Sequence, residues 1–383
     1  MTHLESTLAA GEDADAGKGH RHRWPVVLVA ILAVVLALVI ASSFITLPYY
    51  SLVPGDALPV SSLIKVPPGR AYRPHGHVLL TDVGVAPVLL VDLLPDLLSS
   101  DTALVSSSAL IGSAPASEFN AQGTVDMQES QLTAEVAAFR QLGYSVPERN
   151  AGAVVYQILP GTAAWRSLHV GEVVTSLGGR AITSAPGLVK AMEGERPGSV
   201  VALTVGSVRD PSASRTVTVK LGSSPRDRSQ AFLGIYAVTQ PQYQLPFRVS
   251  ISSDGIGGPS AGLAFTLGIL DTLAGGDLTG GRTVAATGTI HPDGTVGPVG
   301  GVAEKTVAVE RAGATVFLVP KAEYAVAEAK ATPQLKVFAV TSLPQALHDL
   351  AVMGGHLGRA ATGPVPGPGG HSAPAGWQDD PWS

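Results

Sequence analysis

The sequence predicts an α+β protein with a single N-terminal transmembrane helix, then a β-rich domain and a second mixed domain. Three observations predict it. Residues 26–47 form a 22-residue apolar run interrupted only by Ser42, Ser43 and Thr46. Residues 152–221 set short strand-like segments between turn signals, and residues 230–353 alternate strands, glycine turns and helical periods. At 383 residues the chain exceeds an ordinary domain of ~100–200 residues. It can bury a sizeable core without staples.

Composition excludes several classes of function. Lys plus Arg is 25 against 30 Asp plus Glu, a net charge of −5, and no basic block stands out, so no nucleic-acid partner is expected. The absence of Cys removes disulfides, thiolate metal sites and cysteine catalysis together. The ten His include no H-E-x-x-H pair, which leaves metal chemistry without ligands in sequence. No G-x-x-x-x-G-K-[ST] loop occurs, and residues 276–283 carry Arg282 where a phosphate-binding lysine belongs. No cofactor and no ATP are therefore expected.

The apolar run, as a helix at 1.5 Å per residue, reaches ~33 Å and spans a ~30 Å hydrocarbon core. Lys18, Arg21 and Arg23 precede it, and Trp24 and Tyr49–Tyr50 flank it as interfacial anchors. The positive-inside rule then keeps residues 1–25 in the cytoplasm and exports the chain beyond residue 47, giving a single-pass cell-membrane protein. Cleavage at Ala41-Ser42-Ser43 is the alternative, but a signal-peptide core is normally ~7–15 residues. The expected divisions are a disordered tail at 1–25, the span at 26–47, an extracytoplasmic region without assignable chemistry at 48–125, a β-rich domain at 126–222, a chemistry-bearing domain at 230–353 and a Gly/Pro-rich flexible tail at 354–383. Residues 126–141 are helix-capable, with no Gly or Pro. Trp377 and Trp382 in the last tail form a candidate docking motif.

In the β-rich domain, strand-like residues 152–158 stop at Pro160-Gly161, and 171–177 ends at the tight turn Gly178-Gly179. A short helix at 186–192 and strands at 200–205 and 216–221 come next. This order, with the segment AVVYQILPGTAAWRSLHVGEVVTSLGGRAI, resembles a PDZ domain of the permuted bacterial kind. Such domains bind extended peptide along a sheet edge, so protein or peptide substrates are the partners implied. By position, the resemblance puts the carboxylate-cradling loop at Leu142-Gly143-Tyr144, although Gly143 equally suits a helix C-cap. A role as a spacer is the other reading.

The chemistry falls in 230–353. Phe232–Val238 and Phe247–Ile251 read as strands separated by a Pro-Gln-Tyr-Gln-Leu-Pro turn. Then Asp254-Gly-Ile-Gly-Gly-Pro-Ser260-Ala-Gly opens an apolar helix, with Pro259 in its first turn and Ser260 at its N-terminus. A hydroxyl there sits among unsatisfied N–H groups and the positive end of the dipole, where an oxyanion can be held. Gly257 and Gly258 let the backbone pass close to a substrate, which makes them candidate substrate-binding positions. A serine that merely starts a helix is the commoner meaning of such a turn. Downstream, residues 283–290 read as a strand, His291–Gly294 as a hairpin turn and 296–299 as its return. Gly300-Gly301 opens a helix in which Lys305 shares a face with Val302, Val309 and Ala312, while Glu304 and Arg311 point away. Burial on that face depresses a lysine pKa from ~10.4, and reaching ~7–8 costs about 4 kcal/mol. A neutral amine so placed can deprotonate a serine. Snorkelling of the stem to water is the competing reading.

The segments GGPSAGLAFTLGILD, LTGGRTVAATGTIHPDGTVGPVGG, VAEKTVAVERAGATVFLVP and SLPQALHDL resemble the proteolytic domain of Lon proteases. With the span and the PDZ-like segment ahead, the chain resembles the YlbL-like, membrane-anchored PDZ–Lon proteins of bacteria. The resemblance implies an ATP-independent serine endopeptidase with Ser260 as nucleophile, Lys305 as its base and Thr287 orienting the lysine. Lon proteins carry D-G-P-S-A-G; here Ile256-Gly257-Gly258 intervenes, so the resemblance assigns no role to Asp254. The Lon ATPase domain is missing, so energy-driven unfolding is not implied. A catalytically inactive scaffold or chaperone on the same fold is the alternative. Self-association into a homo-oligomer is the remaining partner this reading allows.

Overall fold

The computed structural model describes residues 23–112, 115–207, 213–253 and 255–360. Residues 1–22 of the expected tail, Asp254, and residues 361–383 with both tryptophans lie outside them. The apolar run forms a helix over Arg23–Ser42, and its Trp24–Ser42 stretch is long and apolar enough to cross a membrane. It ends before the expected span closes. A strand, Thr46–Pro59, begins there because its backbone finds sheet partners. Tyr49 and Tyr50 therefore sit on a strand instead of capping the helix.

That strand opens a six-stranded mixed sheet in the spatial order Ala103–Ser106, Thr46–Pro59, His77–Leu89, Thr283–Ala286, Val316–Pro320 and Lys336–Val340. The N-terminal pairs are antiparallel, and the joins from His77–Leu89 onward are parallel. The expected separate region at 48–125 is thus corrected: its strands are part of the sheet that carries 283–340. Parallel pairing of segments some 200 positions apart leaves no local sequence signal.

Strand alternation divides the sheet into two faces. Val78, Leu80, Val284, Ala286, Val316 and Leu318 face the helices Ala116–Gln141 and Gly262–Leu273. Leu79, Ala285, Phe317 and Val319 face the helix Val302–Arg311. Every residue of Gly262–Leu273 is buried, and each large side chain there contributes roughly 1.5–3 kcal/mol. The helix at 116–141 starts ten residues before the helix-capable stretch and includes Gly123. It packs on Gly262–Leu273 and belongs to this core, not to the β-rich domain to which 126–141 was assigned.

A second, antiparallel sheet holds Ile235–Tyr243, Glu148–Ile158, Glu172–Leu177, Val200–Ser207 and Arg215–Lys220 in that order, with Arg180–Ala181 on Glu172–Leu177. The helix Ala185–Met192, capped by Ser184, covers it. Ile235–Tyr243 was expected in the chemistry-bearing domain, but it pairs along Glu148–Ile158 and carries the predicted turn residues Pro241–Tyr243 inside the strand. Of the expected strand at 247–251, only Ser250–Ile251 pairs, with Ile64–Lys65. The β-rich domain, 148–243, is consequently inserted between two parts of the first one.

At the C-terminus, His356–Ala360 pairs with Ala274–Asp277, so the expected flexible tail starts later than residue 354. Its glycines serve close approach: a Cβ at Gly358 would strike the Gly275 carbonyl.

Candidate functional site

Thr283–Ala286 lies in the parallel part of the sheet, and the residue after it is Thr287. Ligands of parallel α/β sheets bind beyond the carboxyl ends of strands, and the candidate chemistry gathers there. Ser260 comes from one face of the sheet and Lys305 from the other. Thr287, fully buried, lies between them in the hydrogen-bond chain. Its Oγ1 donates to the Ser260 carbonyl at 3.2 Å and accepts from Lys305 Nζ at 3.3 Å. The Gly288 N–H also donates to the Ser260 carbonyl at 2.9 Å, and the Leu263 N–H donates to Gly288 O at 3.0 Å. The serine backbone is thereby pinned to the end of the strand.

Ser260 is half-buried, one residue before the cap Ala261 of the helix Gly262–Leu273. It therefore precedes the helix it was expected to head, a shift within the usual one or two residues. Gly258 has φ +88°, a conformation that side chains rarely adopt, so glycine is required there. Its N–H donates to Gly123 O at 2.7 Å, and a Cβ on Gly257 would meet the Gly123 backbone at 3.5 Å. Both candidate substrate-binding glycines thus lie against the helix Ala116–Gln141. Ser130 Oγ on that helix donates to the Pro259 carbonyl at 3.1 Å.

Lys305 is 3% exposed. Burial pulls its pKa down to about 8, against the opposing pull of Asp82, Glu304 and Glu323. The expected helical face needs one correction: Glu304 is buried and Ala312 is exposed. The helix is covered on more than one side, by the sheet and by the helix Tyr324–Lys330, so its buried surface is wider than a single stripe. At its start Gly301 has φ +68°, and a Cβ there would meet Val83 Cγ2 at 2.6 Å. The lysine helix therefore docks directly on the N-terminal strand His77–Leu89. Asp82 on that strand is a residue that sequence reasoning missed, because the fold, not spacing, brings 77–89 beside 305.

Leu142-Gly143-Tyr144 lies apart from this site. Its N–H groups donate to Ala138 O, Arg140 O and Phe139 O at 2.9, 3.0 and 2.9 Å, with Gly143 at φ +84°. This is a helix C-cap of the Schellman type, and it leaves no amide for a carboxylate. Tyr144 packs edge-on against Phe139 and Phe247 in the core. Ile235–Tyr243 and Arg215–Lys220 are the two edges of the second sheet, and the first of them lies beside the helix Ala185–Met192. The Ala185 N–H donates to Thr239 Oγ1 at 3.2 Å, and Val238 and Val189 are 43% and 62% exposed. Gly234, at φ +86° just before Ile235–Tyr243, is the turn glycine at its start, but the run Ile-Tyr-Ala-Val-Thr-Gln-Pro-Gln-Tyr has no alternating period to mark it as an edge. Among the described residues, no group of three or more His, Asp and Glu could hold a metal ion.

Comparison with known proteins agrees with these two units. Residues 249–350 match the Lon protease (S16) C-terminal proteolytic domain, and residues 141–221 match the PDZ domain. Similar solved structures include the PDZ domain of an SdrC-like protein from Listeria monocytogenes, 19% identical, covering 23% of this chain and 88% of that one with a TM-score of 0.20. The PDZ domain of the SdrC-like protein from Listeria innocua is 17% identical over 22% of this chain and 92% of that one, with a TM-score of 0.20. A solution structure from Geobacillus thermodenitrificans is 21% identical over 22% and 94%, with a TM-score of 0.19. No curated protein matches the chain. A PDZ domain and a Lon-type proteolytic domain thus share this polypeptide, the first inserted into the fold of the second.

Proposed function

We propose that the chain is a membrane-anchored serine endopeptidase that works without ATP, with Ser260 as nucleophile and Lys305 as general base. The observation that carries this reading is a desolvated amine hydrogen-bonded to Thr287, whose hydroxyl in turn holds the Ser260 backbone. With one Nζ–H donated to Thr287, the neutral amine keeps a lone pair to accept the serine proton. Ser260 Oγ attacks the scissile carbonyl as its proton passes to Lys305. The ammonium then protonates the leaving amine, and water hydrolyses the acyl-enzyme by the same route in reverse. An inactive scaffold would carry the burial cost of Lys305 without using it.

Substrate capture is assigned to the PDZ domain, through strand addition along Ile235–Tyr243. Tethering there raises the local substrate concentration at Ser260. The test is hydrolysis of fluorescently labelled unfolded casein by the purified full chain without nucleotide. Ser260→Ala is expected to release no fluorescence above buffer, and equal hydrolysis by both proteins would overturn the reading.

The lysine also sets the pH dependence. A base with a pKa of about 8 is mostly protonated at pH 7 and mostly neutral at pH 9. kcat/KM is therefore expected to rise about tenfold per pH unit below 8 and level off above it. A profile flat from pH 6 to 9 would remove Lys305 from the role of base.

The helix Arg23–Ser42 is assigned as an uncleaved anchor with its N-terminus inside and both domains outside the membrane. Protease added to wall-stripped cells is expected to digest the domain bearing Ser260 and spare an N-terminal tag. Protection of that domain would reverse the orientation.

A further inference from the structure

The helix Ala116–Gln141 touches both domains. On one side it holds the PDZ strand Glu148–Ile158: Glu118 Oε1 accepts from the Ile158 N–H at 3.0 Å, and Gln122 Nε2 donates to Tyr156 O at 3.3 Å. Tyr156 Oη donates to Asp126 Oδ2 at 3.4 Å, and Val125 packs with Val154 and Val173. Positions 118, 122 and 126 recur every four residues and share a face. Gly123 and Ser130, seven apart, share a second face about 100° around the helix, and both bind the segment before Ser260. Glu118 and Ser130 are both buried. Among the described residues, the gripped strand is also the sole sheet neighbour of Ile235–Tyr243, the edge to which a peptide would add.

We propose that Glu118 and Ser130 are positioning residues for Ser260, through which the helix Ala116–Gln141 sets the serine-bearing loop and links it to the PDZ strand. This rests on the reading of Ser260 as the nucleophile. Ser130 fixes the Pro259 carbonyl, and Gly123 fixes the Gly258 amide. Together they define where the Ser260 hydroxyl stands relative to Lys305. Glu118 lies at the PDZ end of the same helix, so its loss tests whether that helix transmits a change at the PDZ strand to Ser260.

The test uses the full chain in detergent micelles, with two readouts. One is the rate constant and final extent of Ser260 labelling by an alkyl fluorophosphonate. The other is hydrogen–deuterium exchange of residues 255–265. Ser130→Ala is expected to slow labelling about tenfold at an unchanged final extent. Glu118→Ala should slow it several-fold, and Glu118→Gln, which keeps the accepting oxygen, should restore the rate. Exchange at 255–265 should quicken in both alanine variants and return in Glu118→Gln. Wild-type labelling with Glu118→Ala unchanged in rate and exchange overturns the proposal and leaves the nucleophile standing. No labelling of the wild type, with exchange still transmitted from Glu118, overturns the nucleophile and supports the linkage. A lower final extent at an unchanged rate constant marks the contacts as merely structural and overturns the proposal.

Discussion

Ser260→Ala, Lys305→Ala and Lys305→Arg are each expected to reduce casein hydrolysis to background, and the double variant Ser260→Ala/Lys305→Ala should be no worse than either. Nucleophile and base act as one unit, so removing the second after the first costs little. Lys305→Arg is the sharpest of the three. A guanidinium stays protonated at every usable pH and cannot take the serine proton, whatever its position. Substantial activity in Lys305→Arg would leave Ser260 in need of another base. Folding supplies a control that does not depend on activity. Lys305 titrates at about 8 when folded, below the ordinary 10.5, so the unfolded chain binds more protons between those values. The contribution of Lys305 to stability therefore rises with pH across that window, by ~3 kcal/mol from ~1.4 kcal/mol per pKa unit. Lys305→Met keeps most of the stem and loses the titration. The stability difference between the two proteins should change by that amount between pH 8 and 10.5, and stay constant below 8. No change across the window would mean that the amine is not desolvated.

Thr287→Val is expected to lower kcat about 10- to 100-fold with KM nearly unchanged. Valine fills the same volume, so the core around this fully buried position is preserved. The substitution removes the oxygen that receives Lys305 Nζ and the hydroxyl that holds the Ser260 carbonyl. The Gly288 N–H still binds that carbonyl, so the loss in the fold should come mainly from the Lys305 amine left without its acceptor, about 1–3 kcal/mol. The ascending limb of the pH profile should stay near 8, because burial lowers the lysine pKa and Asp82, Glu304 and Glu323 oppose it. A large rise in KM at an unchanged kcat would instead assign Thr287 to substrate binding.

Much of this architecture was legible because it is local. The apolar helix at the N-terminus comes from hydropathy, although only sheet pairing told where it stops, at Ser42. The apolar period placed Lys305 on a buried face, and the His291–Gly294 turn with its short hairpin came from turn chemistry. The Leu142–Tyr144 segment shows the limit of reading by position. One glycine suited two purposes, and the donors on its own amides settled it as a C-cap.

By itself, then, the sequence determined the kinds of domain present, the apolar helix and the segments that carry Ser260, Thr287 and Lys305. These depend on periodicity, turn residues and motifs a few residues long. Only the tertiary structure decided that residues 46–106 complete the sheet of the Lon-type domain, that Ile235–Tyr243 closes the PDZ sheet, and that Asp82, Gly123 and Ser130 stand beside the candidate site. The physical reason is common to all of them. Strand partners and helix contacts are chosen by which buried faces and backbone groups can be satisfied together, across separations of up to some 200 residues. A local pattern reports that a segment has a face to bury, but not which distant segment will cover it.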